Sequence, residues 1–250
     1  MRRSLCIILS LATLTLGVYL TSSAQGLPAP KDVDDLVAHD AEFIKKTLAK
    51  ANPDKKAQRK MRLTALMIAQ YAQSGIYKGN AKNAALATLR DQALDVHKAV
   101  VDGKFDDAKL LAEKLSLSAP VNKEAKLDPI ALDKLEEFDN VMSMFSKSGF
   151  GMDEFLEDLT TLKNNPTDEE AKKIKLVALK VSMIGVLSQA HAPPMVGGAR
   201  TVEAWKGFGK DMYKDSLELV KAAEEKKAAG IIKAAVKVND TCKSCHDVFR

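Results

Sequence analysis

Apolar positions recur at steps of three and four along most of the chain, the spacing of one helical face. From Val33 to Ser118 the pattern predicts four helices, near 33–51, 54–74, 80–102 and 105–118. The breaks fall at Asn52-Pro53, from Gly75 to Asn80, and at Asp102-Gly103. In the second helix Met61, Leu63, Leu66, Met67 and Ile68 give a broad apolar face suited to a bundle core. Ser118-Ala119-Pro120 ends this block, and 118–128 reads as a linker. Asp128 as N-cap and Pro129 in the first turn then predict a helix over 128–147. Its stripe is Leu135, Phe138, Met142 and Phe145, from which Met144 points away. Gly149 and Gly151 interrupt the chain, and further helices are predicted near 152–164, 168–190, 201–227 and 229–249. Pro193-Pro194 and Gly197-Gly198 mark the longest break in this second block.

The two blocks read as an internal repeat. A shift of 113 residues lays Asn52-Pro53 on Asn165-Pro166, and Lys60, Leu63, Ala65 and Leu66 on Lys173, Leu176, Ala178 and Leu179. A later shift of 123 lays Leu94, Lys98 and Ala99 on Leu217, Lys221 and Ala222. Breakers punctuate more specifically than helix formers, so the paired Asn-Pro steps favour duplication over chance. The expected fold is all-α: two tandem four-helix-bundle-like repeats, over 25–120 and 128–250.

Composition agrees with helices. Hydrophobic residues are 46% and aromatics 5%, which disfavours a sheet protein. Met1-Arg2-Arg3, the apolar run Leu5 to Leu20 and Ser22-Ser23-Ala24 read as a signal peptide cut after Ala24. An uncleaved anchor is the alternative, but a run of 16 residues is short for a span. The destination is the periplasm or another extracytoplasmic compartment. Without residues 1–24 the balance is 36 bases against 33 acids, a net charge of +3. That is too mild for nucleic-acid binding. Cys6 leaves with the signal, and Cys242 and Cys245 remain.

Those two cysteines stand in Thr241-Cys242-Lys243-Ser244-Cys245-His246, a C-x-x-C-H pattern of c-type haem attachment. Two thiols at this spacing reach the two vinyl groups on one porphyrin edge. The next residue, His246, then offers its imidazole to the iron as proximal ligand. On a helix all three side chains share a face. A thioredoxin-like pair needs a strand-to-helix context, and zinc needs further ligands that the sequence does not pair with these. One covalent haem c is therefore expected. At the later shift the motif falls on Ala119, Asn122 and Lys123, so the first block should hold no haem.

The segment Val238 to Arg250, V-N-D-T-C-K-S-C-H-D-V-F-R, resembles the C-terminal end of the cytochrome c′ family, the class II c-type cytochromes. Phe249 and Arg250 stand where the family has an aromatic and an Arg, and the preceding helix, with Trp205, Tyr213, Leu217 and Ala222-Ala223, is also similar. The resemblance is good over about 200–250. It implies a four-helix bundle with the haem on the last helix. The sixth iron position is then open or filled by a Met of the first helix. Met142, 100 residues before Cys242, is the leading distal candidate, and Met183, where the first block has Gln70, is its rival. Plain core packing is the alternative for each. Five predicted helices from 128 onward depart from the family's four. His39 and His97 belong to the haem-free block. His191 and the Gly149-Phe150-Gly151 turn are weaker candidates for approach to a haem edge.

No Ser/His/Asp set, second metal cluster or phosphate loop is present, so the expected role is one-electron transfer rather than enzymatic catalysis. The partners would be redox proteins of the cell envelope and, in a homodimer, a second copy. A five-coordinate haem protein binding nitric oxide or carbon monoxide is the alternative. A structural envelope protein is a third.

Overall fold

The computed structural model describes residues 30–50, 52–77 and 80–250. The expected signal peptide, with Cys6, lies outside them. The chain is all-α, and no strand is formed among the described residues. Among the described residues nine α-helices follow one another: α1 (Pro30–Leu48), α2 (Lys55–Ser74), α3 (Asn83–Val101), α4 (Phe105–Ala112), α5 (Phe138–Met142), α6 (Met152–Leu159), α7 (Asp168–Ser188), α8 (Val202–Glu225) and α9 (Ala228–Phe249).

They pack as two sets. In the first, α2 packs between α1 and α3, and α4 returns onto α3 and α1. In the second, α8 packs between α7 and α9, and α6 lies along α9. The sets meet where α2 packs on α7. That central place explains why Leu63 through Ala72 of α2 are buried on every side rather than along one stripe. The junction also carries a buried ion pair, Asp40 of α1 to Lys180 Nζ of α7 at 2.6 Å. Phe150 is wedged beside it, 5.6 Å from Phe43, with Lys60 and Lys180 over its ring.

The starts of the long helices follow local chemistry. Asp54 accepts the Ala57 N–H at 2.7 Å to cap α2. Thr167 and Glu170 close a reciprocal capping box on α7. Thr201 accepts the Ala204 N–H to cap α8. The cap of α9 is tertiary: Asn165 Oδ1 receives the Ala228 N–H at 2.9 Å.

The segment 128–147 departs from the expected helix. It holds a 3₁₀ turn at Leu132–Lys134 and the five-residue α5. Long-range side chains occupy the backbone groups a helix would use. Arg90, 1% exposed, donates to the carbonyls of Lys126 (2.7 Å) and Asp128 (2.8 Å). Gln73 binds both backbone groups of Ile130, at 2.7 and 3.0 Å, and Thr88 accepts the Asn122 N–H. The linker is thus a strap tied along α2 and α3. Of the expected stripe only Phe145 is buried. Leu135 is exposed, while Val141 and Met144 are buried and Met142 only partly so. Four helices, α6 to α9, therefore make up the second set, with α6 as its first.

The strap ends in a buried carboxylate. Glu136 faces Arg62 Nε and His97 Nε2 at 3.0 and 3.1 Å and accepts from Asn140 Nδ2 at 3.0 Å. Burial pushes its pKa up, but the His97 hydrogen bond, the Arg62 charge and Asn140 outweigh this and hold it below the ordinary glutamate value.

Candidate haem-attachment site

Cys242, Cys245 and His246 lie in the last turns of α9. All three are partly exposed, whereas Lys243 and Ser244 between them face solvent. The motif is thus helical, with two thiols and an imidazole on one side, as its spacing requires.

α9 reaches this position for reasons upstream of the motif. Ile231, Ala234, Ala235 and Val238 are its buried stripe. Phe249 is 5% exposed and meets the edge of Trp205 at 5.1 Å and of Phe208 at 6.2 Å. Trp205 meets Phe138 at 5.0 Å, and its indole N–H donates to Ser188 O at 2.7 Å. The aromatic three residues beyond His246 therefore anchors the end of α9 to α8, α7 and α5.

The free carbonyls at that end have a partner as well. Arg200 donates from Nε to Val248 O at 2.6 Å and from Nη2 to Arg250 O at 3.1 Å. A guanidinium at a helix C-terminus satisfies orphan acceptors and complements the helix dipole. The sequence carries little sign of this role, since Arg200 sits after Gly197-Gly198 in an irregular break. Thr241, beside Cys242, donates to Asp215 of α8 at 2.7 Å.

The thiols differ electrostatically. Cys242 packs against the core, and burial, with Cys245, Asp153 and Asp215 nearby, pushes its pKa up to about 11. Cys245 is also raised by burial, against the lowering effect of Arg250. His246 is lowered, first by burial and then by Arg250, which favours the neutral imidazole that binds iron.

α6 runs antiparallel to α9. Asp153 acts on Cys242, and three residues on, Leu156 O receives Asn239 Nδ2 at 3.4 Å. The turn before α6 holds Phe150. Backbone bonds tie that turn to its predecessor: Phe150 N–H to Met144 O at 2.9 Å and Asp153 N–H to Phe145 O at 3.1 Å. Met142, half-buried against the core, ends α5 in this same segment. Met183 is fully buried in α7, which packs on α8 and α2 rather than along α9. Met152, on α6, lines a cleft of about 410 Å³ with Phe150, Lys180 and His39. The other histidines are occupied elsewhere. His191 lies 3.1 Å from Leu187 O and 3.2 Å from Glu136 O, against Phe138. His39 pairs with Asp40, and His97 with Glu136. Among the described residues no cluster of three or more His, Cys, Asp or Glu could hold a separate metal ion.

Residues 201–250 match the family model of cytochrome C′. The match spans α8 and α9 and includes both cysteines and His246. No curated protein and no solved structure matches the chain. This match supports a c-type haem protein, and the donor set fits the group: two thiols for thioether bonds and a neutral imidazole for iron. Among the described residues no helix is long and apolar enough to cross a membrane.

Proposed function

We propose that the protein is an exported one-electron carrier with a single haem c, attached through Cys242 and Cys245 and ligated by His246. It acts in the periplasm or another extracytoplasmic compartment, with redox proteins of the envelope as partners and without catalysing a reaction of its own. The observation that carries the reading is the attachment motif on the last turns of a helix that the family model covers. When bound, haem iron supplies a one-electron couple set by its axial ligands, burial and nearby charge. The chain's own residues would hold that couple in a fixed setting: Phe249 and Trp205 pin the end of α9, and Arg200 closes its carbonyls. Little rearrangement then accompanies a change of charge.

Supporting an origin by duplication, α2 starts at Lys55 and α7 at Asp168, the 113-residue shift of the repeated Asn-Pro step. For the sixth iron position Met142 is the leading candidate, by its spacing of 100 residues from Cys242. Met183 is the rival.

A second reading is a five-coordinate protein that binds nitric oxide or carbon monoxide. It is favoured by the apolar inner face of α6, whose buried residues are Met152, Leu156 and Leu159. Absorption spectroscopy tests both. The denatured wild-type protein should retain haem through acid–acetone extraction, and Cys242→Ser with Cys245→Ser should lose it. A far-red charge-transfer band in the oxidised form, abolished by Met142→Ala, supports thioether ligation. High-spin wild-type protein that takes up carbon monoxide readily moves gas binding ahead of electron transfer.

A further inference from the structure

Beyond its acidic cap, Asp54, the start of α2 carries a dense run of positive charge. Lys55, Lys56, Arg59, Lys60 and Arg62 fall within eight residues, and the helix contains no acidic residue. Cations at a helix N-terminus oppose the macrodipole. Lys55 with Arg59 and Lys56 with Lys60 are like-charge pairs four apart, which also destabilise. The strain registers on Lys60, whose ammonium is lowered by burial and by the charges of Lys56 and Arg59. α7, at the matching place in the second set, begins instead with Asp168, Glu169 and Glu170.

Part of this charge serves the fold. Arg62 holds Glu136, and Lys60 sits over Phe150. The rest faces outward. Lys55 and Lys56 are exposed, Arg59 is half-exposed, and together with Gln58 and Arg62 they line an open cleft of about 520 Å³.

The geometry points to this cleft as a docking surface for a carboxylate-rich face of a partner protein. Charge complementarity names the partner's chemistry: an open, cationic surface selects anions, and such surfaces steer encounter more than they add affinity. A membrane surface fits less well. An interfacial helix needs apolar side chains to insert, and the exposed large apolar residues of the chain lie elsewhere, none of them on α2. The cleft also lies toward the haem end. Arg62 contacts Glu136, Phe138 follows two residues later and meets Trp205, and Trp205 meets Phe249 on α9. A partner seated there would approach the attachment site while touching the haem-free set. The inference does not depend on electron transfer, since docking and redox activity are measured separately.

The test uses the full haem-loaded protein, with a short polyglutamate peptide as probe, by calorimetry at low and moderate salt. Lys55→Glu, Lys56→Glu and Arg59→Glu together should weaken binding at least about tenfold, because three salt-sensitive contacts reverse sign. The same charge change at Lys104, Lys109 and Lys123 should leave it within about twofold, being remote charge only. The first triple variant should also melt at a higher temperature than wild type, since it relieves the dipole conflict. Equal weakening by both triples would reduce the effect to net charge and overturn the site. Capture by phosphatidylglycerol vesicles without peptide binding would assign the surface to lipid, and self-association lost in the first triple would assign it to a second copy. Either result overturns the proposal, and so does a lower melting temperature of that triple.

Discussion

The two helical sets cross their central helices differently. In the second set α7 and α8 meet through two glycines. A Cβ on Gly185 would lie 2.8 Å from Gly209 O and from Tyr213 N, and one on Gly209 would lie 2.7 Å from Gln189 Cγ and 2.8 Å from Gly185 O. The shifts that align the sets put Ala72 and Leu86 at these places in α2 and α3, and both are buried side chains. The set that carries the C-x-x-C-H motif is thus packed backbone to backbone behind Trp205 and α9. The first set is packed through side chains and finished by the strap. The last helices differ in the same sense: α4 has 8 residues and α9 has 22. A short α4 leaves room on α2 and α3 for the strap, and a long α9 carries the motif to the far end of its set.

The sharpest way to break this arrangement is at the residue joining both sets. Glu136→Ala leaves Arg62 and His97 facing a buried site without their carboxylate, which should destabilise the protein by about 3 kcal/mol. Urea melts of the holoprotein check this, and a loss below about 1 kcal/mol would mean that the network is slack. The pH dependence follows from the lowered pKa. A carboxylate depressed in the folded state contributes stability that is present above its unfolded value, ordinarily 4.5. That contribution is lost as pH falls through the folded value. Wild type should therefore lose stability on the acid side, and Glu136→Gln should show a flatter profile there.

The contrast in helix crossing is tested next. Gly209→Ala should cost about 1–3 kcal/mol through overpacking against the α7 backbone. Gly207→Ala, on the same helix, meets nothing within 4 Å. It should stabilise by about 0.5–1 kcal/mol, from helix propensity alone. Equal effects of the two would show that α7 and α8 can separate without penalty.

Much of this plan was legible in the chain. The boundaries of α2, α3, α7, α8 and α9 fall within a few residues of those expected, because breakers such as Asn52-Pro53 and Asn165-Pro166 and apolar periodicity act locally. The helical placement of the C-x-x-C-H motif was legible for the same reason, since its three residues stand within five and share one face of α9. The region 128–147 was misread because its conformation is decided by Arg90 and Gln73, 38 and 57 residues away from the groups they bind. The Glu136 network joins positions 62, 97, 136 and 140, which share no pattern in sequence. Nor does periodicity report Arg200, whose partners lie 48 and 50 residues on.

The strap offers a medium-sized effect confined to the first set. Arg90→Ala removes a buried guanidinium and leaves the Lys126 and Asp128 carbonyls without their donor, for a loss of about 1–3 kcal/mol. Hydrogen exchange should quicken at Asn122 and Ile130, whose amides depend on the strap lying in place, while α9 keeps its protection. Protection lost equally in α9 would mean that the two sets open as one unit.

The smallest effect, and the most local, is expected at Arg200. Its guanidinium serves the last carbonyls of α9, where a helix has no intrahelical donors to offer. Arg200→Ala should cost about 1 kcal/mol of global stability, in the range of a lost cap and its dipole interaction. Phe249 would still be held by Trp205 and Phe208, so α9 should fray rather than detach. Fraying begins within one turn of His246, and the haem spectrum therefore reads it directly. The variant should broaden the ferric spectrum or shift its ligand-field features while the thioether bonds stay intact. Lysine at this position keeps the charge but loses the fork that spans two carbonyls, and should restore only part of the wild-type spectrum. An unchanged spectrum in Arg200→Ala would show that the aromatic contacts alone hold the end of α9.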